Sequence, residues 1–211
     1  MAPADPESLQ SRSPITHSKV LVVEGDDAVQ FFKALLRDLD LLAQVEIRNA
    51  RSVSELPKYL GTLAVTYGFA GVTSLGVVRD AEANATSAFQ SVCGGLQRAN
   101  LSVPRQPMAF SEGSPKTSVF VLPDGVNPGM LETLCYQAVS RDPAVLCVEE
   151  YFACLERQGI TLPTNMPKAH LHAFLASRPK PDLLLGQAAH AGYLQLESPV
   201  FDRVKHFLRA L

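Results

Sequence analysis

A chain of 211 residues, 46% of them hydrophobic, is long enough to bury a full core as one α/β domain, or one domain with an appendage. Its formal charge of −2 excludes a bulk electrostatic pull toward nucleic acid or an anionic membrane, though not a local basic face. Four cysteines without a CxxC pair or zinc-ligand spacing read as reduced core thiols on apolar helical faces, and no apolar run approaches the length of a membrane span; a soluble, cytoplasmic protein with no membrane partner is expected.

Residues 1–18 are rich in Pro, Ser and charge and read as a disordered arm outside the fold. Val20 to Glu24 then has the continuous apolar character of a buried parallel strand ending in an acid. Gly25 gives a sharp turn, and Asp26 or Asp27 is the expected N-cap of a helix carrying Val29, Phe31, Phe32, Leu35, Leu36 and Leu39 at helical spacing. Val45 to Asn49 is a short second strand. A helix capped by Ser52 or Ser54 follows to about Thr66, with Val53, Leu56, Leu60 and Leu63 on one face.

Residues 67–73 read as a loop and Ser74 to Arg79 as the third strand, closed by Asp80 and Glu82. A helix over roughly residues 83–99 follows, and then a proline-bearing loop over 102–117. Ser118 to Leu122 is the fourth strand, closed by Pro123, Asp124 and Gly125. Pro128 is placed at the first position of the next helix. The rest reads as helices at about 143–158, 167–177, 186–192 and 199–210. The alternation predicts an α/β fold: a mostly parallel four-stranded sheet flanked by helices, with right-handed crossovers, over 19–142, and an all-helical portion packed on it over 143–211.

Parallel strands bring their carboxyl tips to one edge, where ligands of open α/β sheets bind. Three strands end in acids there, at Glu24, Asp80 and Asp124. Asp80 and Glu82 point the same way if the chain stays extended, and Glu132 lies within reach in the helix after Asp124. Converging carboxylates repel unless a cation lies between them, and hard oxygen ligands suit Mg²⁺ or Mn²⁺. The plain alternative is that strand-end acids are helix caps and solvated loop residues. Lys168, His170 and His172 open a later helix, where a solvated helix start competes with phosphate binding. Arg79 is expected to face away from Asp80 in an ion pair, and Phe31, Phe32, Phe89 and Phe120 are core residues, not base-stacking platforms.

The order EGDD after the first strand (Glu24 to Asp27 with its valines) and acid-x-acid after the third (Asp80, Glu82) resembles the Toprim domain of topoisomerases, primases and OLD-family nucleases. The likeness is closer to a group of small bacterial Toprim-like proteins, the DUF3226 type. It runs through Val23 to Asp27, Arg79 to Glu82, Leu122 to Asp124, Gly129 to Glu132 and the Lys168 to Leu175 stretch, and covers about residues 19–211.

That resemblance implies a Rossmann-like fold, Glu24 as general acid/base, and Asp80, Glu82 and Asp124 as ligands of Mg²⁺ or Mn²⁺, with Asp27, Glu132 and Lys168 in support. Glu82 stands where the wider Toprim pattern has Asp, and its extra methylene can turn direct ligation into water-mediated ligation. The implied activity is nuclease-like hydrolysis of phosphodiesters, with nucleic acid as partner. Two rival readings stay open: a catalytically inert Toprim-like binding or regulatory module, and a receiver-like domain phosphorylated on Asp80. The receiver reading wants a Lys ending a fifth strand, and no such strand is predicted.

Overall fold

The computed structural model describes residues 13–52 and 54–211. Four strands, β1 (Lys19–Val23), β2 (Val45–Asn49), β3 (Ser74–Asp80) and β4 (Lys116–Leu122), pair in parallel in the order β2-β1-β3-β4. Eight α-helices among the described residues surround them: α1 (Asp26–Asp38), α2 (Leu56–Ala64), α3 (Ala85–Arg98), α4 (Leu131–Ala138), α5 (Ala144–Arg157), α6 (Met166–Ala176), α7 (Leu185–His190) and α8 (Asp202–Ala210). The chain leaves β1 toward one side of the sheet and β3 toward the other, so the strand order reverses between β1 and β3. Crevices open at such reversals, at the carboxyl ends of the strands.

Side-chain alternation gives the sheet two cores. Val20, Val22, Leu75, Val77, Val119 and Val121 face α2 and α3, joined by Leu60, Leu63, Val92 and Leu96. Leu21, Val23, Val78, Phe120 and Leu122 face the other way, into a core with Phe31, Phe32, Phe174, Phe201 and Phe207. Each large buried side chain there contributes about 1.5–3 kcal/mol. Helices from 143–211 thus share one core with the sheet. The C-terminal helix lies directly on β3 because residue 76 is glycine: a Cβ there would stand 2.8 Å from Leu211 Cδ2 and 3.0 Å from Phe207 Cζ. Lys205 Nζ, 3.1 Å from Asp38 Oδ2, ties the same helix to α1.

Several expectations are corrected. Residues 13–18, read as part of a disordered arm, pack on the fold: Ile15 is buried and its N–H donates to Tyr67 O, while Arg48 Nη1 and Nη2 donate to the carbonyls of Ser13 and Pro14. Residues 1–12, and Val53 of the expected α2 stripe, lie outside the described residues. The N-cap of α1 is Gly25, at φ 85°, with both aspartates inside the first turn. Neither Ser52 nor Ser54 caps α2, whose N-cap is Glu55.

The helix expected from Pro128 begins at Leu131, because Gly129 pairs antiparallel with Glu82 through two hydrogen bonds of 2.9 and 2.8 Å and keeps the chain extended. Not all four cysteines are core thiols: Cys135 is buried and Cys93 half-buried, but Cys147 and Cys154 are exposed on α5. No helix among the described residues is long and apolar enough to cross a membrane.

Candidate functional site: an acidic crevice at the strand reversal

Residues Glu24 and Asp80 follow or end the two strands between which the order reverses. In-register pairing runs from Lys19 and Ser74 to Val22 and Val77, so its extension sets Glu24 beside Arg79, next to Asp80. A pocket of about 80 Å³ opens here, lined by Glu24, Asp27, Arg79, Asp80, Leu131 and Glu132, with apolar walls from Val23, Val78 and Leu122. The walls are core residues, which keeps the carboxylates in a poorly solvated setting.

Asp80 is the centre of this group. Its Oδ1 accepts the Leu131 N–H at 3.0 Å, so a strand end and the first turn of α4 are joined by one carboxylate. Burial, followed by the charge of Glu132 and then by Glu24 and Glu82, pushes the Asp80 carboxyl up to about 7, against the pull of the Leu131 N–H toward the ionised form. Glu82 is exposed and takes φ 53°, a left-handed conformation that turns the chain back at the bridge to Gly129. The bridge holds the Asp80–Glu82 turn against the entry to α4, which brings Glu132 to the cluster. Beneath it, burial first, then Glu132 and Asp80, push the Cys135 thiol well up.

Asp124, expected as a third ligand from β4, turns into its own loop. Its Oδ1 accepts the N–H groups of Val126 and Asn127 at 2.9 and 2.8 Å, and its Oδ2 accepts Asn127 Nδ2 at 2.7 Å. Burial acts to raise its carboxyl, but the Asn127 and Val126 bonds and the charge of Arg203 outweigh it and hold the group below the ordinary range. It does not line the acidic pocket. Asp27 does line it, but its Oδ1 is turned to the Gly186 N–H at 3.4 Å, tying α7 to α1. Lys168 is exposed and makes no ion pair with the described residues; its N–H donates to the Asn165 cap.

Two further residues shape the edge, and sequence reasoning did not use the first of them. Asn49, paired with Val23, accepts the Gly25 and Arg51 N–H groups at 3.0 and 2.7 Å and donates to Asp26 Oδ1 at 2.8 Å, fixing the turn after Glu24. Only the strand register reveals that placement. Arg79 carries no ion pair among the described residues, contrary to expectation: its Nε and Nη1 are shielded from solvent without a hydrogen-bond partner there. A separate, larger groove of about 470 Å³ lies by Gly25 and Asp26 over the β2 end, with Lys33 and Arg51 among its lining.

A divalent cation would find oxygen donors of the right kind in this crevice. Among the described residues, however, no three His, Cys, Asp or Glu side chains stand together as a ready cage. Mg²⁺ commonly rests on one or two carboxylates with waters and substrate phosphates, and the mutual repulsion felt at Asp80 is what such an ion relieves. The set therefore fits a partly hydrated ion on Asp80 with Glu82 or Glu132, and not a cage that includes Asp124.

Sheet and crevice together define a parallel α/β protein with an acidic site at its strand reversal. The chain belongs to the DUF3226 family: a family model described as a protein of unknown function matches residues 18–211. No curated protein matches it in sequence. Among solved structures it is similar to the C-terminal region of the Xanthomonas campestris pv. campestris OLD protein, at 11% identity and a TM-score of 0.41 over 92% of each chain.

Proposed function

We propose that this protein is a Mg²⁺-dependent phosphodiesterase acting on nucleic acid, with Glu24 as general acid/base and Asp80, assisted by Glu82 or Glu132, as the metal-holding carboxylate. The observation that supports it most is the convergence of Glu24, Glu82 and Glu132 on a half-buried Asp80 at the β1–β3 reversal. Structural carboxylates are normally paired or solvated, whereas this one is crowded by like charge in a crevice, the signature of a tuned site. Mg²⁺ bound there would supply positive charge to phosphate oxygens and lower the pKa of a coordinated water.

The chain's own residues have three tasks in this reading. Glu24 takes or returns the proton of the attacking water or the leaving oxygen, from a half-buried position on a turn fixed by Asn49. Asp80 stays oriented through its Leu131 bond, leaving Oδ2 for ligation. The groove with Lys33 and Arg51 offers a nucleic-acid strand a path away from the acids.

Calorimetric titration of Mg²⁺ and Mn²⁺ into the wild type and Asp80→Ala, followed by assays on single-stranded DNA, duplex DNA and RNA, tests the reading. Metal binding and cleavage by the wild type, both lost in Asp80→Ala, are expected. Metal binding without cleavage of any substrate would favour the inert binding module.

A further inference from the structure

Arginine carries five N–H donors and a charge it does not lose in a protein. A guanidinium whose nitrogens are removed from water without acceptors is destabilising, so natural folds rarely leave one. Arg79 is such a case: Nε and Nη1 are shielded from solvent and meet no acceptor among the described residues. On the β4 side its register partner is Val121, which offers no side-chain acceptor. Asp80, the next residue, has Oδ1 committed to the Leu131 N–H. Yet Arg79 lines the acidic pocket together with Glu24, Asp80 and Glu132.

We propose that Arg79 is the phosphate-recognition residue of this crevice, its guanidinium taking non-bridging oxygens of a substrate phosphodiester between Glu24 and Asp80. The inference rests on the phosphodiesterase reading for its substrate class, but the anion site itself does not require catalysis. A crevice dominated by carboxylates repels a phosphate, and one fixed cation beside the acids is the least the chain must provide to admit one. Arginine suits the task because its planar donors match phosphate oxygens and it holds its charge amid acids. Glu24, as the adjacent cross-strand residue, then stands within reach of whatever atom Arg79 positions.

The test is titration of inorganic phosphate into the full chain by calorimetry, with and without Mg²⁺, for wild type, Arg79→Gln, Arg79→Lys and Asp80→Ala. Loss of a charged hydrogen-bonding group is expected to weaken phosphate binding about tenfold to a hundredfold in Arg79→Gln. Arg79→Lys is expected to fall between the two, and it carries the test if Arg79→Gln does not fold. Mg²⁺ affinity in the absence of phosphate should not fall in either Arg79 variant. Asp80→Ala should still bind phosphate without metal, at least as tightly as wild type, because a neighbouring negative charge is gone.

A wild type that neither binds Mg²⁺ nor cleaves, but binds phosphate through Arg79, would sink the enzymatic reading and leave this site standing. Arg79→Gln with wild-type phosphate affinity, or a wild type that binds no phosphate up to about 10 mM, would overturn it. A higher melting temperature in Arg79→Gln with unchanged phosphate affinity would do the same, marking Arg79 as a purely structural burden.

Discussion

Asp80 accepts the Leu131 N–H at 3.0 Å and so joins the end of β3 to the start of α4. Asp80, Glu82 and Glu132 are positioned by elements that this bond, or the neighbouring Glu82–Gly129 bridge, holds in place, while Glu24 depends on the turn that Asn49 fixes. The site and the fold are therefore mechanically the same object here, and substitutions separate their roles only when the hydrogen bond is kept.

Asp80→Asn keeps an acceptor for Leu131 while removing the charge. The wild-type carboxyl goes from an ordinary value of 3.8 to about 7 in the fold, burial being the first cause. Between those values the folded chain holds a proton that the unfolded chain has lost, so this group's contribution is full below about pH 4 and fades as pH rises through 7. Asp80→Asn should therefore melt higher than wild type at pH 8 by roughly 2–4 °C, the shift about 1 kcal/mol gives at this size, and equal to it near pH 4. Thermal melts across pH check this; a gap that widens toward acid would contradict it. Added Mg²⁺ should raise the wild-type melting temperature more at pH 8 than at pH 5, because ligation needs the ionised carboxylate.

Gly129→Ala probes the bridge. Residue 129 has φ 137°, and a Cβ there would stand 2.9 Å from Thr133 Oγ1 and 3.1 Å from Pro123 Cδ. The expected cost is about 1–3 kcal/mol, measured by urea unfolding, because an L side chain is strained at this φ and the space is filled. Since the bridge holds the Glu82 turn against α4, Mg²⁺ affinity should fall as well. Weaker folding with undiminished metal affinity would show that Glu82 and Glu132 are not held for ligation.

Asp124→Ala separates a loop-building acid from a ligand. Three hydrogen bonds to Val126 and Asn127 are lost, for an expected cost of about 1–2 kcal/mol. Calorimetry should show wild-type Mg²⁺ affinity in this variant and a large loss in Asp80→Ala. An equal loss in both would restore Asp124 to the metal site.

Gly186→Ala tests how α7 holds α1. A Cβ at 186 would run into Gln30 Cβ and stand 2.9 Å from Asp27 O and 3.2 Å from Phe31 N, where backbone atoms cannot swing aside. Destabilisation of about 2–3 kcal/mol is expected, more than from Gly76→Ala, whose nearest neighbours are the ends of flexible side chains. Unfolding midpoints of the two variants compare the costs directly. Loss of the Gly186–Asp27 bond would also free the Asp27 carboxylate beside the pocket.

Much of this molecule is legible in its sequence. The unbroken apolar strands at Val20, Leu75 and Val119 mark a buried parallel sheet, because only a sheet covered on both faces tolerates them. Period changes at Ala28 and about Ala83 mark helices, and acids after β1 and β3 mark the edge where the crevice opens. Local chemistry decides these features, so local sequence carries them. The strand order β2-β1-β3-β4, and with it the adjacency of Glu24, Arg79 and Asp80, is decided by long-range packing of helices on two faces. Asp124 shows the limit well: its position after β4 makes it look like a ligand, while its side chain is consumed by a turn that only the folded loop reveals. Residue types and spacing determined which groups could do chemistry; tertiary structure alone decided which of them meet, because carboxylates and guanidinium distant in the chain share a crevice only once the sheet closes.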